Sequence, residues 1–120
     1  MPADEAIIQL VQAGRGQEAF ERLVPAYRRR VFGLAFSILR DRAAAEDLAQ
    51  EVFVKLWKAL PRYDGRAKLS TWIYAITRNA AVSALRARRR ALSMSDHAVR
   101  DEVEGIAAAP AAAIVDPELR

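Results

Sequence analysis

The sequence predicts an all-α fold, a compact bundle of about four helices followed by a flexible C-terminal linker. Apolar residues before residue 91 recur at steps of three and four, and no segment alternates as a β-strand does. The periodic segments are joined by short links that contain glycine, proline or aspartate. With 120 residues, 52% of them hydrophobic, the chain can build one modest core.

The first two helices are separated by glycines. Asp4 can cap a short helix that extends to about Ala13, and Gly14 follows as a terminator. The second helix is predicted over residues 17–39, where large apolar residues fall on one face. Pro25 lies inside this helix and should kink it or move its start.

The third and fourth helices carry the more polar faces. A tight connection at residues 40–42 leads to a helix over residues 43–60, which a proline ends. The loop 61–68 contains turn-forming residues and three bases. The fourth helix is predicted over residues 69–90, with Ser70 as a candidate cap. Four helices with short links pack as a bundle.

Domain organisation follows from a change in composition near residue 91. Residues 1–91 are predicted to form the helical domain, and residues 92–120, with few large apolar groups, read as an interdomain linker. No segment is apolar for long enough to span a bilayer, so no membrane insertion is expected. The absence of cysteine and of a signal peptide is compatible with a cytoplasmic protein.

Positive charge is concentrated in one part of the chain. Residues 62–90 hold eight basic residues and one acid, Asp64, whereas residues 91–120 hold six acids and two arginines. A local basic stripe favours a polyanionic partner, because neutralising phosphates releases condensed counterions. The run "RARRR" at residues 86–90 is equally compatible with a solvated helix end.

The fourth helix combines a core face with a polar border. On a helical wheel Leu69, Ile73 and Ile76 share one arc, and Trp72 and Asn79 lie along its edge, seven residues apart. An amide can read a base edge and an aromatic ring can stack on a base. Taken alone, this helix would favour a simpler interpretation, in which Trp72 is a core residue and Asn79 an ordinary surface residue.

The third helix carries a row of hydrogen-bond acceptors. Asp47, Gln50 and Glu51 are spaced at i, i+3 and i+4 and project from one side. Such a row suits docking to an arginine-rich helix of a partner. Spacing alone favours the alternative of a solvated face with local pairs such as Glu51 with Lys55.

Two consecutive stretches together resemble a known family. The sequence "AEDLAQEVFVKLWKALPRY", followed by "LSTWIYAITRNAAVSALR", resembles region 2, the promoter-opening domain of bacterial sigma factors, particularly the extracytoplasmic-function group. The resemblance covers about residues 4–90 and implies the sigma region 2 fold and a role in transcription initiation. It implies that Asp47, Gln50 and Glu51 dock on the clamp helices of the largest subunit of RNA polymerase.

The resemblance also implies that the domain recognises and melts the minus-ten promoter element by capturing flipped bases of the non-template strand. The loop ending at Lys68 and the following helix would receive the base, and Trp72 and Asn79 match family positions at that pocket and at the upstream edge of melted DNA. The residues implied to bind DNA are Arg66, Lys68, Ser70, Trp72, Arg78, Asn79, Arg86 and Arg88.

The sequence departs from the family pattern in two places. Sigma factors normally carry a C-terminal helix-turn-helix domain, and this sequence ends where that domain should start, so that the domain is expected to be absent from the chain. Primary sigma factors have two tryptophans where Thr71 and Trp72 stand, so strand opening should depend more on base capture. The resemblance further implies an anti-sigma factor that covers apolar and acceptor groups of residues 20–57.

Other function classes have less support. The chain has one histidine, His97, and no glycine-rich phosphate loop, so neither an enzyme nor a bound cofactor or metal is expected. The alternative that stays open is a basic helical adaptor that binds structured RNA or protein without reading promoters. Shape recognition of RNA needs arginine and lysine but no pocket at Trp72 and Asn79.

Overall fold

The computed structural model describes residues 2–96, with side chains from residue 3 to residue 93, and this part of the chain is all-α as predicted. It contains four α-helices and one short 3₁₀ turn: α1 (Pro2–Gln12), α2 (Gly16–Leu39), α3 (Arg42–Ala59), the 3₁₀ turn (Leu60–Arg62) and α4 (Leu69–Asp96). Helix α4 extends six residues beyond its predicted end. It therefore enters the segment assigned to the linker, and the rest of that segment lies outside the described residues.

Helix α2 is the centre of the bundle and packs against α1, α3 and α4. Its residues Leu23, Tyr27 and Val31 are fully buried, and the other helices contribute aliphatic residues such as Leu56 and Ile73 to the same core. Burial of this stripe stabilises helices that would be marginal in isolation. In the described residues no helix is long and apolar enough to cross a membrane.

The α1–α2 junction is a Schellman turn. Gly14 has a φ of 78°, and its N–H donates to the carbonyl of Val11 while the N–H of Arg15 donates to that of Leu10. The prediction that Asp4 caps α1 is wrong, because α1 begins at Pro2 and Asp4 lies in its first turn. The Asp4 carboxylate instead accepts a hydrogen bond from the hydroxyl of Tyr27, and this bond links α1 to α2.

Pro25 does not move the start of α2. The helix begins at Gly16 and continues through Pro25 to Leu39. Proline removes one helical hydrogen bond, but Pro25 is exposed and the carbonyl that loses its donor can be solvated. Packing of the neighbouring Leu23 and Tyr27, both fully buried, outweighs the local propensity.

Two residues join α2 to α3. Arg40 adopts a left-handed conformation with a φ of 58°, and its N–H donates to the Phe36 carbonyl. Asp41 is the N-cap of α3, and its carboxylate accepts the N–H of Ala44 at 3.0 Å. The capping oxygen explains why α3 begins at Arg42, one residue before the predicted start.

The loop between α3 and α4 is anchored by Tyr63. Its ring is buried and its hydroxyl donates to the carbonyl of Ala67. Gly65 has a φ of 82°, a left-handed conformation that glycine adopts without steric cost. Helix α4 begins at Leu69, so Ser70 lies inside the first turn and the prediction that it caps the helix is wrong.

Candidate functional site

An open apolar groove runs between α2 and α3, and we call it the α2–α3 groove. Aromatic and aliphatic side chains form its floor, with the rings of Phe20 and Trp57 in edge-to-face contact at 5.3 Å. Its volume of about 1250 Å³ exceeds the roughly 300–1,000 Å³ of small-molecule pockets. The apolar residues that line it are Phe20, Val24, Phe32, Ala49, Phe53, Val54 and Trp57. The size and openness of the groove suit another protein.

Several of these apolar residues are poorly covered by the fold. Trp57 is 45% exposed and Val54 is 52% exposed. Phe20 and Phe53, which also line the groove, are only half-buried. An apolar pair three residues apart on the polar side of a helix was the signal that could have indicated this surface.

The predicted acceptor row lies beside the α2–α3 groove. Gln50 is exposed and lines the groove, whereas Asp47 and Glu51 are exposed on α3 outside its lining. The local pair proposed as an alternative, Glu51 with Lys55, is not among the ion pairs of the described residues. The row is therefore accessible to a partner. The other polar residues that line the groove are Gln17, Glu21, Arg28, Arg29, Arg42 and Glu46.

The loop before α4 packs against the edge of that helix. The ring centroids of Tyr63 and Trp72 are 4.9 Å apart, and the backbone N–H of Trp72 donates to the Lys68 carbonyl at 3.0 Å. Tyr63 was not among the predicted site residues, although it fixes the ring that was. Trp72 is half-buried, so part of its side chain packs against the fold while another part stays accessible.

Asn79 lies on the same edge of α4 as Trp72. Seven residues correspond to about 10 Å along a helix, or roughly three nucleotide steps of about 3.4 Å. Asn79 is half-buried, so its amide is not sealed within the interior. The two side chains are therefore too far apart to contact one base and would contact different nucleotides of a strand.

The predicted basic residues fall into two groups. Arg66 pairs with Asp64 at 3.3 Å, and Arg88 pairs with the capping Asp41 at 3.3 Å. The remaining three, Lys68, Arg78 and Arg86, are exposed and form no ion pair within the described residues. The second group is the freer to bind phosphate, since the first must give up an existing contact.

A second, smaller cleft lies between α2 and α4, and we call it the α2–α4 cleft. Arg30 of α2 and Arg78 of α4 line it together with Tyr74 and Gly33. The Arg30 guanidinium lies 4.3 Å from the centroid of the Tyr27 ring and donates to the Tyr74 hydroxyl at 3.3 Å. Arg30 was not among the predicted site residues, and the sequence does not show that it meets Tyr74 of α4.

The tyrosines of the core have perturbed acidities. Burial and the hydrogen bond to Asp4 raise the pKa of Tyr27 to about 12. Burial also raises the pKa of Tyr63. Both phenols are therefore neutral donors at physiological pH, which suits structural hydrogen bonds. In the part of the chain that the structure describes, no group of three or more acidic or histidine side chains could hold a metal ion.

Comparison with known proteins defines the class. The Sigma-70 region 2 family model matches residues 23–91, which is more than half of the chain. The chain belongs to the Sigma-70 region 2 family. The matched residues include most of α2, all of α3 and the two stretches that carried the resemblance.

Relatives of the chain are named as sigma factors. The RNA polymerase sigma-H factor of Pseudomonas aeruginosa is 36% identical over 98 residues, covering 82% of this chain and 50% of the relative. The ECF RNA polymerase sigma factor SigW of Bacillus subtilis is 32% identical over 73 residues, 61% of this chain and 39% of the relative. The ECF RNA polymerase sigma-E factor of Haemophilus influenzae is 33% identical over 87 residues, 72% of this chain and 45% of the relative.

The matched part of the chain spans half or less of each of these three relatives. No solved structure matches the chain at a comparable level of significance. The family is thereby assigned by sequence, and the surfaces are described by the structure of this chain.

Proposed function

We propose that the chain is a transcription initiation factor that docks on RNA polymerase through α3 and reads the minus-ten promoter element through α4. The observation that carries this proposal is the separation of two surfaces on a Sigma-70 region 2 chain. An apolar groove with unpaired acceptors lies on one flank of α2, and exposed cations and an accessible amide lie on α4.

Docking would combine the acceptor row with the α2–α3 groove. Gln50 lines the groove, and the aromatic ring of Trp57 offers a partly exposed anchor of the kind that dominates protein interfaces. The acceptors Asp47 and Glu51 would pair with arginines of the partner, for which the clamp helices of the polymerase largest subunit are the expected candidate. An anti-sigma factor would compete for the same surface.

Base capture would take place at the edge of α4 nearest the loop. The ring of Trp72, which packs against the ring of Tyr63, offers a partly exposed edge, and Asn79 offers an amide further along the strand. Unstacking a base costs a few kcal/mol, and one stacked base returns about 1–3 kcal/mol. The isolated chain should therefore bind DNA weakly, and the polymerase would supply the missing stabilisation by holding it over the promoter.

The DNA part of the proposal is tested by binding to single-stranded oligonucleotides. We expect the chain to prefer a minus-ten non-template sequence over a scrambled one, and Asn79→Ala to reduce that preference by about five- to a hundredfold. Gln9→Ala, which removes an exposed amide from α1, is the matched control and should retain it. Equal affinity for both sequences in the unmodified chain would instead favour the basic adaptor that binds without reading promoters.

The docking part is tested by pull-down of bacterial RNA polymerase core. Gln50→Ala combined with Glu51→Ala should weaken capture while helical content stays unchanged, because both residues are exposed. The control combines Glu5→Ala with Gln9→Ala on α1, an exposed acid and amide away from the groove. Equal capture by the two double variants would refute docking through α3.

A further inference from the structure

The α2–α4 cleft has a chemistry that base capture at Trp72 and Asn79 does not use. Its lining residues include two cations, Arg30 and Arg78, and no acid. Neither arginine forms an ion pair within the described residues. The cleft therefore presents two positive charges without an ion-pair partner among the described residues, on a mostly apolar lining.

Arg30 is held in place without being neutralised. Its guanidinium lies 4.3 Å from the Tyr27 ring centroid, one terminal nitrogen donates to the Tyr74 hydroxyl at 3.3 Å, and the other donates to the Ala26 carbonyl at 3.1 Å. A guanidinium has five N–H donors, so donors remain for a ligand. A fixed arginine loses less side-chain entropy on binding than a free one.

Gly33 supplies an independent observation at the same cleft. It lies in the middle of α2, where glycine is unfavourable relative to alanine. A Cβ added at Gly33 would meet no atom within 4 Å, so packing inside the described fold does not require glycine there. A glycine that the fold does not need, in a cleft that is also lined by Arg30 and Arg78, is consistent with close approach of a ligand to the helix backbone.

We propose that the α2–α4 cleft binds a phosphate of the DNA backbone, with Arg30 and Arg78 as its ligands and Tyr74 as a residue that positions Arg30. The proposal rests on the DNA-binding function proposed above and extends it to α2. Arg78 and Asn79 are adjacent on α4, and Arg30 reaches the cleft from the neighbouring helix. The bound strand would thus cross α4, with a base on one flank and a phosphate on the other.

The width of a helix sets the expected position of that phosphate. An α-helix is about 10 Å across with its side chains, which corresponds to roughly three nucleotide steps at the B-DNA rise of about 3.4 Å and to fewer steps in an extended strand. We therefore expect the contacted phosphate to lie at most about three nucleotides from the base near Asn79. Neutralising phosphates one at a time as methylphosphonates locates the contact.

The decisive measurement is the salt dependence of DNA binding by the full 120-residue chain. Arg30→Ala should weaken binding to minus-ten and scrambled oligonucleotides alike and should lower the slope of log affinity against log salt by about 0.7–0.9. Between 50 and 200 mM salt this corresponds to a roughly threefold smaller loss of affinity. Tyr74→Phe keeps the charge of Arg30 and should weaken binding with the slope unchanged.

Two controls separate the cleft from general electrostatics. Arg22→Ala removes an exposed arginine of α2 that lines neither the groove nor the cleft, and it should change affinity less than Arg30→Ala does. Gly33→Leu should leave the chain folded, since the space is open, and should block binding. The proposal would be overturned if Arg30→Ala and Arg22→Ala showed the same DNA affinity and the same salt slope.

The outcomes also distinguish this proposal from the function on which it rests. If Asn79→Ala abolishes sequence preference while Arg30→Ala changes DNA affinity and salt slope no more than Arg22→Ala does, the cleft assignment fails and promoter reading stands. If Arg30→Ala lowers the salt slope but no sequence preference exists, the cleft binds phosphate and promoter reading fails.

Discussion

The hydroxyl of Tyr27 ties α1 to the rest of the bundle, and Tyr27→Phe tests how much that tie contributes. The hydroxyl lies 3.0 Å from both carboxylate oxygens of Asp4, and Tyr27 is 0% exposed. The variant keeps the ring and its contacts with Tyr74 and Arg30. It therefore removes one interaction between two helices without leaving a large cavity.

The expected loss of stability follows from the charge of the acceptor. A hydrogen bond to a charged group contributes about 1.5–3 kcal/mol, so Tyr27→Phe should lower the free energy of unfolding by about 2 kcal/mol. In a domain of this size that corresponds to a fall of roughly 10 °C in the melting midpoint. Circular dichroism at 222 nm, followed during heating, measures the change.

The raised pKa of Tyr27 gives the same interaction a pH dependence. The pKa is about 12 in the fold against 10.0 in the unfolded chain. The associated stabilisation is complete below pH 10 and is lost as the pH rises through about 12, by about 3 kcal/mol. The difference in stability between wild type and Tyr27→Phe should therefore shrink in this window.

Two results would refute the reasoning. A melting midpoint of Tyr27→Phe within about 2 °C of wild type would mean that the hydrogen bond adds nothing net. A difference that stays constant from pH 9 to pH 12 would mean that Tyr27 does not titrate as a buried phenol. Asp4→Asn serves as the partner variant, and a double-mutant cycle isolates the coupling between the two side chains.

Three further predictions concern the remaining parts of the fold and its surfaces. Trp57→Ala should reduce polymerase capture more than tenfold while lowering stability far less than a core substitution, because Trp57 is 45% exposed; pull-down and thermal melts are compared on the same sample. Leu56→Ala, at a fully buried position, should cost about 2–5 kcal/mol in urea denaturation. Asp41→Ala should lower the melting midpoint by removing the acceptor for the Ala44 N–H, whereas Asp41→Asn should retain most of the stability that the cap provides. The hydrogen bond from Ala44 holds the pKa of Asp41 below its usual value, so this contribution should be present at neutral pH and lost as the pH falls below about 3.8.

Much of the architecture could be predicted from the sequence. Apolar periodicity predicted four helices and most of the buried stripe, including Leu23, Val31 and Ile73. The errors lie at helix ends, where Asp4 and Ser70 were predicted as caps. A capping residue competes with other partners for its side-chain oxygen, and the sequence does not show that the hydroxyl of Tyr27 would reach Asp4.

The sequence by itself determined the family, the helical faces and the concentration of positive charge near α4. The tertiary structure decided which apolar residues stay uncovered, so that Trp57 lies in a groove while Leu56 beside it is buried. It also decided that Arg88 pairs with Asp41 and that Arg30 meets Tyr74 across α2 and α4. The physical reason is that periodicity fixes the direction of a side chain on its own helix, whereas exposure and pairing depend on which neighbouring helix lies opposite.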